Sequence, residues 1–396
     1  MIEPKLRFKA DDESQFPDWE EKKFANLYRK NVEKNVNLEF DSSKTISIAS
    51  MQFNEKGNGA SEDSLSSYKV LRLGDIAFEG HENKEYSHGR FVLNDIGDGI
   101  MSPRFSCMRP VCTQVDGFWK YYIHSERVMK NILVRSTKKG TMMHELVIPD
   151  FLKQSIMVPS LPEQQKIAEF LSTIDTVIKK QKETVSVWEE RKKGVMQKLF
   201  RQEVRFKADD GSDFPEWEEK KLGDVFTERT ERSKGGESLL SVTIAQGIIK
   251  QSETDKRNIA SENKSNYKIV KKNDLAYNTM RMWQGAEGVS EYDGIVSPAY
   301  TVITVVDGNN SYFFETMFKQ TFMLQVFQRF SQGLTSDTWN LKFPAFSEIK
   351  CQVPCEDEQN KIVECVAVLD DVIEKQKETL AAWEELKKGL LQQMFV

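Results

Sequence analysis

Arg7-Phe8-Lys9-Ala10-Asp11-Asp12, followed by Phe16-Pro17-Asp18-Trp19-Glu20-Glu21-Lys22-Lys23, is written again as Arg205-Phe206-Lys207-Ala208-Asp209-Asp210 and Phe214-Pro215-Glu216-Trp217-Glu218-Glu219-Lys220-Lys221. Position 205 lies 198 residues after position 7, half of a 396-residue chain. Self-similarity at a fixed period means one unit written twice. A second block repeats 195 positions on: 180–184 with 375–379, Trp188-Glu189-Glu190 with Trp383-Glu384-Glu385, and Lys192-Lys193-Gly194 with Lys387-Lys388-Gly389. Between the blocks only fragments correspond. Tyr68-Lys69-Val70 and Gly74-Asp75-Ile76-Ala77-Phe78 match Tyr267-Lys268-Ile269 and Asn273-Asp274-Leu275-Ala276-Tyr277, and Ile100-Met101-Ser102-Pro103 matches Ile295-Val296-Ser297-Pro298. Two nearly copied blocks thus frame two modules that share a scaffold and differ in content.

The second block carries a heptad pattern. Apolar or large residues step by fours and threes through Ile167, Leu171, Ile174, Ile178, Gln181, Val185, Trp188, Lys192, Val195 and Leu199, then through Ile362, Val366, Leu369, Ile373, Gln376, Leu380, Trp383, Lys387, Leu390 and Met394. A mean step of about 3.5 residues is a coiled-coil seam. Pro162 with Glu163, and Asp357 with Glu358, mark the helix starts. About 38 residues at 1.5 Å each make a rod of roughly 57 Å that is stable only against a partner. A coiled coil between chains is one solution. Two matching helices in one chain favour an antiparallel pair within the chain, with Gln181, Gln376, Lys192 and Lys387 on the seam available to set its register.

The division read from these patterns is a first module at 1–160, a helix at 161–200, a second module at 201–356 and a helix at 357–396. The modules mix β-branched and aromatic runs (45–49, 118–123, 300–306) with turn signals at Lys56-Gly57-Asn58-Gly59, Gly97-Asp98-Gly99 and Asp307-Gly308-Asn309-Asn310. The expected class is α+β. The most apolar run, 295–306, is too short to span a membrane and reads as one buried strand. The N-terminus lacks a basic stretch followed by an apolar one, so a cytoplasmic protein is expected. Cys107, Cys112, Cys351, Cys355 and Cys365 show no C-x-x-C spacing and read as packed, inert thiols. All four histidines (His81, His88, His124, His144) lie in the first half, so no metal site is expected.

A net charge of −5 argues against non-specific coating of nucleic acid, but the cations are unevenly placed. Residues 118–144 hold Lys120, Arg127, Lys130, Arg135, Lys138 and Lys139 against Glu126 alone. Residues 249–283 hold Lys250, Lys256, Arg257, Lys264, Lys268, Lys271, Lys272 and Arg281 against Glu253, Asp255, Glu262 and Asp274. A charge run is most often a solvated face. Here Tyr121, Tyr122, Tyr277, Asn278, Trp283 and Gln284 lie among the cations, and the combination suits nucleic acid, since phosphates take Lys and Arg while base edges take amides and arginines. The candidate DNA-binding residues are Lys130, Arg135, Lys138 and Lys139 in the first module, and Lys271, Lys272, Asn278, Arg281, Trp283 and Gln284 in the second. No P-loop, no Asn/Asp-Pro-Pro-Tyr/Phe tetrad and no G-x-S-x-G elbow occurs, and no catalytic residue is assigned.

The order module, helix, module, helix, with like helices and unlike modules, resembles the specificity subunits of Type I restriction-modification systems. The carriers are Phe16 to Trp19 and Phe214 to Trp217, the Ile-x-Ser-Pro segments, and the Pro-x-x-x-x-Gln-x-Lys-Ile helix start at Pro159, Pro162 and Ile167, echoed by Pro354, Gln359 and Ile362. The resemblance implies two target-recognition domains, each reading half of a split, asymmetric double-stranded DNA site, with the helix pair as ruler. It implies two modification (methyltransferase) subunits docked on the helices and two restriction-translocase subunits. S-adenosylmethionine, ATP and Mg²⁺ would belong to those partners, with no cofactor in this chain, and the methylated base would be adenine. The alternative is a coiled-coil scaffold with two protein-binding modules; a standalone nuclease or methyltransferase fits least.

Overall fold

The computed structural model describes residues 4–54, 61–244, 246–253, 263–336 and 338–395. The turn signal at Lys56 to Gly59, and Asp255, Lys256, Arg257 and Glu262 of the second basic run, lie outside the described residues. The chain forms two compact units, one of Met1–Glu183 with Lys377–Val396, the other of Thr184–Gln376.

Each unit holds one module, built to the same plan. In the first, an antiparallel sheet runs in the order Tyr28–Lys30, Ser106–Pro110, Ile76–Glu79, Arg90–Leu93. In the second the order is Phe226–Glu228, Tyr300–Val305, Leu275–Asn278, Glu287–Val289. Lys69–Leu71 with Gly99–Met101, and Lys268–Val270 with Gly294–Val296, form matching two-stranded ladders. Glu20–Lys23 pairs with Ser155–Val158, and Glu218–Lys221 with Lys350–Val353, so the end of each module returns to its start just before the long helix. Asp116–Tyr122 and Glu126–Ser136 correspond to helices Ser311–Phe318 and Thr321–Phe330.

The matching fragments of sequence now have physical reasons. Gly74 (φ +82°) and Asn273 (φ +70°) occupy the left-handed region in the turn before the central strand, which glycine and asparagine tolerate best. The next residue, Asp75 or Asp274, is buried and accepts the N–H of Arg72 (2.9 Å) or Lys271 (2.7 Å), closing the turn. The buried charge is then met differently. Arg109, on strand Ser106–Pro110, donates to Asp75 at 2.9 Å from both Nε and Nη2, and Asn31 adds a longer bond. Asp274 takes Arg229, just past Phe226–Glu228, at 2.6 and 3.0 Å, and the Thr304 hydroxyl at 2.9 Å. The positions of cation and neutral donor have changed places between the two modules.

The copied N-terminal blocks are clamps. Arg7 forks onto Glu163 (3.0 and 2.9 Å) and donates to the carbonyl of Pro17; Arg205 forks onto Glu358 (3.1 and 2.9 Å) and donates to that of Pro215. Bidentate guanidinium–carboxylate pairs with a buried acid are the strong kind. Lys166 pairs with Asp11 and Lys361 with Asp209. Gln164 donates to the Pro159 carbonyl and accepts from Val115; Gln359 donates to Pro354 and accepts from Asn310. The Phe-Pro-x-Trp and Pro-x-x-x-x-Gln motifs therefore fasten each module to the start of its helix.

Two sequence expectations change. The run 118–123 is not a strand: it lies in helix Asp116–Tyr122, which buries Phe118, Trp119 and Tyr122 on one face. Aromatic enrichment suggested β structure, whereas the i, i+1, i+4 spacing is helical. The run 295–306 is two strands, Gly294–Val296 and Tyr300–Val305, in different sheets, because Pro298 has no N–H for a ladder. Among the cysteines, Cys107 and Cys351 are buried and burial pushes each thiol up to about 12, while Cys112 is exposed on the loop after Ser106–Pro110, and Cys355 and Cys365 are half-buried. No helix among the described residues is long and apolar enough to cross a membrane.

The long helices span Leu161–Phe200 and Glu356–Met394 and pair antiparallel. In the first unit Ile167, Ala168 and Leu171 pack with Met394 and Phe395, and Lys387 meets Asp175 at 2.5 Å. In the second unit Met196 packs with Ile362 and Val366, and Lys192 meets Asp370 at 2.5 Å. Lys192 and Lys387 occupy equivalent positions of the repeat, as do Asp175 and Asp370, so one lysine–aspartate pair fixes the register in each unit. Ile167, Leu171, Ile174, Ile178, Val185, Ile362, Val366 and Ile373 are buried; Trp188, Leu369, Leu380 and Trp383 are half-buried. Arg191 covers the Trp188 ring at 5.0 Å.

Candidate nucleic-acid interface

In the first module the four candidate cations are consecutive in structure. Lys130 and Arg135 lie on helix Glu126–Ser136, Lys138 and Lys139 on strand Thr137–Lys139 directly after it, and all four are exposed. Arg135 sits in the helix's last turn, where a cation is favoured by the unpaired carbonyls. The strand pairs with His144–Leu146 to form a hairpin, across which Lys138 meets Glu145 at 3.1 Å. Among the described residues Lys130, Arg135 and Lys139 have no ion pair, so their charge is available to a ligand.

Three histidines cluster at the base of this hairpin. The His88 and His144 rings lie 5.0 Å apart, tilted by 48°, His81 lies 3.4 Å from Glu79, and the His144 backbone N–H donates to the Gly80 carbonyl at 2.8 Å. His124 lies elsewhere, half-buried, and burial holds its ring below the ordinary histidine value. No cluster of His, Cys, Asp or Glu suited to a metal ion occurs among the described residues.

The second set of candidates is divided. Lys271 and Lys272 stand in the turn before strand Leu275–Asn278, at its opposite end from the other four. Their backbone N–H groups bond Asp274 and Asp293, and their ammonium groups meet Asp293 (2.9 Å) and Glu291 (3.7 Å). They are exposed, yet their charge is largely answered locally. Asn278, Arg281, Trp283 and Gln284 sit together after the strand. Asn278 accepts the Met280 N–H, Trp283 donates to the Met280 carbonyl at 3.1 Å, and Met282 beneath them is fully buried. Asn278 and Trp283 thus build the turn that carries Arg281 and Gln284. Trp283 meets Trp339 edge-on at 5.2 Å, and the Leu341 N–H donates to the Thr279 carbonyl at 2.8 Å, so the loop 332–341 lies against this turn.

That loop is the counterpart of the first module's hairpin: each follows the second module helix, and each is tied by one N–H to the residue after the equivalent central strand, Gly80 or Thr279. Sequence reasoning missed Arg329, exposed in the last turn of Thr321–Phe330 where Arg135 stands in the first module. It lies beyond the basic run and has no cationic neighbours in sequence to flag it.

The fold is one module with one long helix, built twice, and each module carries cations beside the same hairpin region. The model of the family described as "Type I restriction modification DNA specificity domain" matches residues 89–186 and 215–382. The chain belongs to this family. A Methanocaldococcus jannaschii protein provisionally named the type I restriction enzyme MjaX specificity subunit is 25% identical over 189 residues, 46% of this chain and 44% of that one. The type I restriction enzyme MjaVIII specificity subunit of the same organism is 33% identical over 109 residues, 26% of each chain. The chain therefore aligns with less than half the length of these curated relatives. A solved type-I restriction-modification system S subunit from M. genitalium superposes with a TM-score of 0.54 at 14% identity, covering 100% of this chain and 99% of that one. A chain from a structure of complex assembly and conformational transition in the type I R-M system gives 0.54 at 16% identity, covering 96% and 98%. At these identities the likeness concerns the fold.

Proposed function

We propose that the chain is the DNA sequence-specificity subunit of a Type I restriction-modification complex. Each module reads one half of a bipartite, asymmetric double-stranded DNA site, and the antiparallel helices set the gap between the halves. The observation that carries this reading is the combination of one fold built twice, with like helices, and unlike cations on the same hairpin region of each module. Lys130, Arg135, Lys138 and Lys139 serve the first half-site and Arg281 and Gln284 the second, supported by Asn278 and Trp283; Lys271 and Lys272 serve as peripheral phosphate contacts. The chain is non-catalytic and cytoplasmic. Two methyltransferase subunits dock on the helices, where Trp188, Leu369, Leu380 and Trp383 are only half-covered, and two restriction-translocase subunits join them. S-adenosylmethionine, ATP and Mg²⁺ are held by those partners.

Titrating the full chain with fluorescent duplex DNA across a salt series tests this. Phosphate contacts give a linear fall of log K with log salt, with a slope of about −0.9 per contact. Tight binding of a protein ligand with salt-independent, negligible affinity for duplex would instead favour the coiled-coil scaffold with protein-binding modules.

A further inference from the structure

The two most exposed large apolar side chains among the described residues are Leu334, at 101% of its reference area, and Met142, at 86%. They occupy the same place in the two modules. Met142 is at the tip of hairpin Thr137–Lys139/His144–Leu146; Leu334 is in the loop closed by reciprocal backbone bonds between Gln332 and Asn340 (3.0 and 2.8 Å). The sequences there, Lys-Lys-Gly-Thr-Met-Met-His and Gln-Gly-Leu-Thr-Ser, have nothing in common beyond a glycine before an apolar residue.

Both tips are held in shape. A Cβ on Gly140 would meet the Met143 carbonyl oxygen at 2.5 Å, and one on Gly333 would meet that of Thr338 at 2.6 Å, so each loop crosses itself where only glycine fits. Thr338 further bonds Thr335 through its hydroxyl. An apolar side chain held rigidly in water at the same site of two diverged modules forgoes burial twice, and nothing in either fold requires it. Its neighbours are cations: Arg135, Lys138 and Lys139 lead into Met142, while Arg329 precedes Leu334 and Arg281 lies on the turn against which that loop packs. Val134, Phe330 and Met280, less exposed, lie on the helix ends and the turn that carry the tips. An apolar tip standing beyond them on a cationic, preorganised stem matches a side chain that enters between base steps while its neighbours hold phosphates.

We propose that Met142 and Leu334 are wedges, each inserted into the base stack of duplex DNA at the half-site its module reads. The inference rests on the DNA-reading function above. Inserting the tip buries its side chain against bases and unstacks one step, and the stem cations anchor the flanking backbone.

The test uses the full chain and a duplex selected by it from a random pool. 2-Aminopurine is scanned through that duplex, since its fluorescence rises when stacking is broken. Met142→Ser, Leu334→Ser and a control at another exposed apolar residue, Val32→Ser, are compared with the parent; all three positions are exposed, so folding is preserved. The expected result is a fluorescent step in each half-site, lost from one half in Met142→Ser and from the other in Leu334→Ser. Affinity falls about tenfold in each, the burial of one apolar side chain, with an unchanged salt slope and no effect of Val32→Ser. Bound DNA with no unstacked step, or affinity unchanged in both tip variants, overturns the wedge while leaving DNA reading intact. Failure of the parent chain to select any duplex overturns both.

Discussion

The two modules have the same strand order and the same clamps onto their helices, yet the buried aspartate before the central strand is satisfied by different partners in each, and the comparison separates what is kept from what is free to change. What is copied residue for residue does mechanical work: Arg7 and Arg205 on Glu163 and Glu358, Gln164 and Gln359 at the helix starts, Lys192 and Lys387 on Asp370 and Asp175. What is kept only in type, the aspartate of the Gly-Asp or Asn-Asp turn, has a conserved need met by exchanged partners. What differs freely is the exposed hairpin region: histidines and lysines in one module, Trp283, Trp339 and Arg281 in the other.

The largest effects are expected where the shared scaffold is broken. Asp75→Ala leaves Arg109 with Glu33 alone and the turn N–H unpaired, and Asp274→Ala leaves Arg229 with only the longer Glu231 contact, so each costs about 3 kcal/mol by chemical denaturation, the low end for a broken buried ion pair. If only one of the two mattered, the modules would not share a frame. The clamps differ in a way that sharpens the comparison. Glu358 accepts the Trp217 indole N–H at 3.0 Å as well as Arg205, whereas the buried Trp19 indole N–H has no partner. Glu358→Ala is therefore more damaging than Glu163→Ala, by about 1 kcal/mol, one further hydrogen bond.

A buried slot shows the modules diverging inside the core. By strand register Glu287 stands where Phe91 stands in the first module; both are fully buried, and neither carboxyl oxygen of Glu287 has a hydrogen bond. Burial pushes its carboxyl well above the ordinary 4.5, and Lys319, 3.9 Å away, pulls back only in part. A raised folded value means the contribution to stability is complete below 4.5 and is lost as pH rises through the folded value. Glu287→Gln should raise the melting temperature, with a margin over the parent that widens from pH 5 to pH 8; a margin independent of pH would refute it. The smallest effect belongs to the register pairs. Lys192→Ala and Lys387→Ala each cost under about 1 kcal/mol, since both pairs are partly exposed, although charge reversal of Asp175 and Asp370 together should shift or loosen the helix pair, visible as reduced helical content on heating.

The repeat, the long helices and their buried seam positions were legible because periodicity is local and recorded twice. The modules' strand order was not, since Ser106–Pro110 pairs with segments some thirty to eighty positions away and leaves no spacing signal. The basic runs counted Lys271 and Lys272 as free charge, whereas both meet carboxylates of their own module. Their neutralising partners, Asp293 and Glu291, fall just past the counted window, and a charge count cannot see a carboxylate folded back on it. Met142 and Leu334 were invisible for the opposite reason: an apolar residue in a sequence reads as core until its exposure is known.

The measurement that bears most directly on the account is genome-wide mapping of N6-methyladenine in cells expressing this chain with its cognate modification subunit, against cells lacking the chain. The account predicts a new bipartite, asymmetric motif, two short blocks around a fixed gap, of which exchanging the second module alters one block only. No new motif, with the modification subunit active and the chain stable, would contradict it.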